Sequence, residues 1–105
     1  MANKYRGEIH AELGGKIRTL VLTLGALAEL EDAFGAEDLG ALTERFASGR
    51  LKARDLTRII AAGLRGAGEA VSDDEVASMG AECGAQGYVR VAAALIAATF
   101  GDEGA

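Results

Sequence analysis

Proline and tryptophan are absent from the 105-residue chain, and cysteine and histidine occur once each. Average proline usage of roughly 5% would give about five, so nothing in the composition forces kinks or extended linkers. Helices are free to run between the 15 glycines. The lone Cys83 cannot form an internal disulfide, and the lone His10 removes most zinc sites. No run approaches the roughly 18 apolar residues needed to span a bilayer. Met1 to Arg6 has no apolar stretch behind it, so a secretory signal is not expected. These absences together predict a cytoplasmic location.

What is present suits one small domain spanning residues 1–105. Hydrophobic residues make up 50% of the chain, but 22 of them are alanine and 27 are Leu, Ile, Val, Met or Phe. That is one modest core. The net charge of −5 argues against a general affinity for nucleic acid. The charge is blocked: +2 over residues 1–23, −6 over 24–44, +5 over 45–65 and −5 over 66–82. A basic middle between acidic flanks reads as internal salt-bridging or as a partner footprint.

Tyr5 to Leu13 alternates strictly, with Arg6, Glu8, His10 and Glu12 on one side and Tyr5, Gly7, Ile9, Ala11 and Leu13 on the other. Period two with charge on one face predicts a half-buried strand. Gly14-Gly15 accepts the positive φ angles of a tight hairpin turn, and Lys16 to Leu24 returns antiparallel. Pairing Leu13 with Lys16 sets Ile9 opposite Leu20 and Gly7 opposite Leu22, which gathers the apolar residues on one face. A one-residue slip would destroy that agreement.

From about Leu24 the period becomes helical. Leu27, Leu30 and Phe34 precede the stop Gly35; Leu39, Leu42 and Phe46 repeat the spacing before Gly49. A third helix covers about Lys52 to Arg65 and buries Leu56, Ile59 and Ile60. Ser72-Asp73-Asp74-Glu75 reads as a capping box for a short fourth helix carrying Val76, Met79 and Cys83. A fifth runs from about Gln86 to Phe100 with Arg90 as its only charge; a helix apolar all round is expected at the centre of its domain. The tail 101–105 is expected to fray. An isolated hairpin is marginal and needs cover. The expected fold is therefore α+β, an N-terminal two-stranded antiparallel hairpin (about 5–24) packed on about five short α-helices (about 25–100).

Few residues offer chemistry. His10 sits between Glu8 and Glu12 without the partners that a general base or metal ligand needs. Cys83 has no motif around it and reads as a small buried hydrophobe. Asp32 to Glu44 has a length that suits a calcium loop, but Phe34 and Ala36 stand where oxygen ligands belong. Gly63, Gly66 and Gly68 look glycine-rich, but Gly66 to Ala70 follows a helix, the reverse of the strand-to-helix order of a phosphate loop. Neither an enzyme nor a cofactor or metal is expected. The basic residues form the one suggestive pattern. On a helix, Arg54, Arg58 and Arg65 fall within a sector of about 40°, and Arg50 and Lys52 extend it. A solvated face is the default; the functional reading makes Arg50, Lys52, Arg54 and Arg58 partner contacts. The alanine side of the last helix is a second candidate for receiving a protein.

Leu22-Thr23-Leu24-Gly25-Ala26-Leu27-Ala28-Glu29-Leu30-Glu31-Asp32-Ala33-Phe34-Gly35 resembles a known family. So do Ile59 to Gly68, Val71-Ser72-Asp73-Asp74-Glu75-Val76, and Ala92 to Gly101. Together they are similar to the small tail proteins of gene transfer agents, the phage-like particles of alphaproteobacteria, which are grouped with phage tail assembly chaperones. The resemblance covers nearly the whole chain from Arg6-Gly7-Glu8. It implies a non-enzymatic role in tail building, in the producing cell's cytoplasm, with the tape-measure protein as partner and possibly the tail tube protein. A different class of function is a structural component, tube-associated or a completion protein, that stays in the particle. A third, a DNA-binding regulator using the third and fourth helices, conflicts with the net charge and with Gly66-Ala67-Gly68. The sequence leaves the oligomeric state open.

Overall fold

The structure, a computed structural model, describes residues 7–35, 44, 52–80 and 84–100. Strands β1 (Glu8–Leu13) and β2 (Lys16–Val21) pair antiparallel, from Glu8 opposite Val21 to Leu13 opposite Lys16. This is the register that the apolar alternation predicts. The turn needs its two glycines, since Gly14 and Gly15 have φ of 63° and 83°. The Gly14 amide also donates to the Gly80 carbonyl at 2.8 Å, tying the hairpin tip to the rest of the fold.

Leu13 and Leu20 are completely buried on the inner face. Two residues depart from the simple division of faces. Ile17, opposite Glu12, is 70% exposed on the outer face. Arg18, opposite Ala11, lies on the inner face, and its side chain is only 13% exposed.

Four helices follow among the described residues. Helix α1 (Leu24–Phe34) starts at Thr23, whose Oγ1 accepts the Ala26 amide hydrogen at 3.1 Å, and stops at Gly35, φ 65°. It buries Ala26, Leu27 and Leu30. Helix α2 (Ala53–Gly66) begins where the Asp55 carboxylate accepts the Lys52 amide hydrogen at 2.9 Å. Helix α3 (Asp73–Ala77) carries the expected capping box: Ser72 Oγ accepts from the Glu75 amide at 3.1 Å, and Glu75 Oε1 accepts from the Ser72 amide at 2.9 Å. Helix α4 spans Gly84–Phe100. The α+β class therefore holds, with four helices among the described residues; of the helix expected over Leu39 to Phe46 only Glu44, which is helical, is described, and Cys83 and the tail 101–105 lie outside the described residues.

The centre of the domain is α2, which packs on α1, β2, α3 and α4. Residues Ile59 to Leu64 are all buried there. Two glycines let it come close. A Cβ on Gly63 would stand 2.6 Å from Leu95 Cδ2 and 3.2 Å from Leu20 Cβ, and one on Gly66 would overlap the Val21 carbonyl oxygen. Small residues at the crossing thus bring the helix axis down onto the strand. The expectation that the last helix is central is corrected. Helix α4 buries Ala92, Leu95 and Ile96 but leaves Val89, Ala94 and Ala97 exposed. Alanine costs little at the surface, so near-absence of charge did not mean burial.

Candidate protein-interaction groove

The first turns of α2, the short α3 and the start of α4 enclose a groove of about 890 Å³. Its apolar floor comes from three places in the chain: Leu56 on α2, Met79 just after α3, and Tyr88 on α4. Each is half-buried, packed against the core without being part of it. The brevity of α3 makes the opening. Five residues with one buried side chain, Val76, cannot cover the flank of a 14-residue helix. The Tyr88 hydroxyl donates to the Met79 carbonyl and fixes the floor's polar tip.

Charges of opposite sign rim this floor. Arg54 and Arg58 stand on the α2 side, Asp73 and Asp74 on the α3 side. They are not equally available. Arg58 Nη1 donates to the Ala33 carbonyl at 3.0 Å, joining α2 to the end of α1. Asp73 Oδ1 accepts from Arg65 Nη1 at 3.2 Å. Arg54 and Asp74 are exposed and have no ion-pair partner among the described residues.

The predicted basic stripe is therefore divided. Lys52 and Arg54 are exposed, Arg58 is half-buried and bonded, and Arg50 lies outside the described residues. Arg65 is an internal tie, donating to Glu29, to Asp73 and, at 3.0 Å, to the Val71 carbonyl. Burial works against its charge, but the hydrogen bonds to Glu29 and Asp73 outweigh it and hold the guanidinium above its ordinary pKa.

Sequence reasoning missed Arg18. Its Nε donates to the Leu13 carbonyl at 2.8 Å, and Nη1 pairs with Glu69 Oε1 at 2.5 Å, locking β2 to the loop between α2 and α3. The signal was present: by strict alternation Arg18 shares a face with Leu20 and Leu22. His10 is exposed on the outer hairpin face. Among the described residues, no group of three or more His, Cys, Asp or Glu could hold a metal ion, and no helix is long and apolar enough to cross a membrane.

These features define a small α+β domain with a charge-rimmed apolar groove. The chain belongs to the phage tail family described as "Phage tail tube protein, GTA-gp10", whose model matches residues 6–102. The resemblance to gene transfer agent tail proteins therefore holds over nearly the whole chain. No curated protein and no solved structure matches.

Proposed function

We propose that this protein is a non-enzymatic tail assembly chaperone of a gene transfer agent, binding the tape-measure protein in the cytoplasm of the producing cell until tube subunits surround it. Membership of a phage tail family across residues 6–102 carries the reading. The groove gives it a physical form. A long tape-measure chain exposes apolar helix stripes before the tube closes, and such stripes aggregate unless covered. A floor of Leu56, Met79 and Tyr88 with charge at its edge is the kind of surface that covers them transiently.

The words "tail tube protein" in the family description favour a second reading, a structural component retained in the tail. Co-expression with the neighbouring tape-measure protein tests the first. The chaperone reading expects the two to co-purify before tube subunits are added and to separate afterwards. Failure to co-purify, together with incorporation into tubes, favours the structural component.

A further inference from the structure

We infer that the groove between α2, α3 and α4 receives a single amphipathic helix whose apolar stripe is flanked by acidic residues on one side and basic residues on the other. The inference rests on the proposed chaperone role only for the partner's identity; the helix chemistry comes from the groove.

The occupant is a helix because the groove offers an incoming strand no ladder to join. Its two walls are the first turns of α2 and α3, which present helix surface and no strand edge whose alternating N–H and C=O groups an extended chain could pair with. After α3, the Met79 carbonyl accepts from the Tyr88 hydroxyl and the Gly80 carbonyl from the Gly14 amide. A segment that brings its own backbone bonds satisfied fits such a site, and an extended one does not. Apolar side chains must fill it. Water over Leu56 and Met79 gains from release when apolar side chains replace it.

The flanking charges follow from which rim charges are free. Asp73 is paired with Arg65, and among the described residues Arg54 on one wall and Asp74 on the other have no ion-pair partner; Arg58, whose bond to the neutral Ala33 carbonyl leaves its charge in place, adds to the basic wall. A helix acidic on both flanks would meet Asp74 with a like charge, and one basic on both flanks would meet Arg54. Only mixed flanks satisfy both walls. Reversal would set each flank against the wall of like charge, so a mixed helix fits in one direction only, its acidic flank along Arg54 and its basic flank along Asp74.

The test uses three synthetic helical peptides of about 18 residues, about 27 Å long. They share one leucine stripe and carry Glu on one flank and Lys on the other, Glu on both, or Lys on both. The full-length protein should bind the mixed peptide about three- to tenfold more tightly than either uniform one at low salt, with the gap shrinking as salt is raised. Amide shifts should centre on Leu56, Met79 and Tyr88. Arg54→Glu should turn the preference to the Lys peptide and Asp74→Lys to the Glu peptide; both positions are exposed, and circular dichroism checks that each variant folds. Equal affinity for all three peptides, or a preference that neither substitution moves, overturns the inference. So do shifts centred on Val89 and Ala97, no binding of any peptide, or a groove closed by a second copy in sedimentation. Co-purification of tape-measure protein with an unswitched groove would sink the groove alone. A switching groove without co-purification would sink the chaperone reading alone.

Discussion

Replacing Gly66 with alanine adds one methyl group at the place where α2 meets β2. The new Cβ would overlap the Val21 carbonyl oxygen, a backbone atom that cannot rotate aside. Relief requires the end of α2 and the end of β2 to part, which loosens the contacts of Leu20 and Leu64, both completely buried. Overpacking of this kind costs about 1–3 kcal/mol, and a rigid neighbour places Gly66→Ala toward the upper part. Alanine returns up to about 1 kcal/mol of helix propensity, less at a final helical position. A net loss of about 2 kcal/mol lowers the melting temperature by about 8–16 °C in a domain of this size. Two other glycines supply controls, since neither has a positive φ. A Cβ on Gly25 meets only Thr23 Oγ1, at 3.8 Å, so Gly25→Ala should be neutral or slightly stabilising. Gly63→Ala should lie between, because Leu95 Cδ2 at 2.6 Å belongs to a side chain that can swing away. Thermal unfolding followed by circular dichroism gives the order. A Gly66→Ala protein melting at or above the parent would refute the close approach of α2 to β2.

Leu22→Asp should cost about 4 kcal/mol or more, since it removes a buried leucine (6% exposed) and leaves a carboxylate without a partner; urea unfolding with the parent's midpoint would place Leu22 on the outside. Ser72→Ala should lose about 1 kcal/mol through the missing N-cap, and an unchanged midpoint would mean that the capping box contributes nothing. Arg65→Ala should cost roughly 1–2 kcal/mol by freeing Glu29, Asp73 and the Val71 carbonyl together. Arg65→Lys should recover only part of that, because one ammonium cannot replace a planar fork reaching three acceptors. Full recovery by lysine would reduce Arg65 to a simple charge.

The hairpin and the helix ends were legible because each rests on local chemistry. Gly14-Gly15 fixes the turn, alternation from Ile9 to Leu13 fixes the register, and Ser72 with Glu75 fixes the start of α3. The central element was misplaced for a physical reason. Alanine counts as apolar yet is tolerated at the surface, so α4 looked more buried than it is. The close crossing at Gly63 and Gly66 marked the true centre, but a glycine's neighbours are not written beside it. The stripe of arginines was visible as a pattern; which of them carry internal bonds was not, because Arg58 reaches Ala33, 25 positions away, and Arg65 reaches Glu29, 36 away. The groove was the least legible feature. Leu56, Met79 and Tyr88 come together because α3 is short, which does not show in periodicity.

The central claim is a role in building the tail without remaining in it. Quantitative mass spectrometry of purified particles, set against the tape-measure protein in the same sample and in producer-cell extract, tests it most directly. The account predicts that the protein accompanies the tape-measure protein in the extract and falls well below one copy per tape-measure chain in finished particles. A fixed stoichiometry of one or more copies in the particles would contradict it and make this protein a part of the tail.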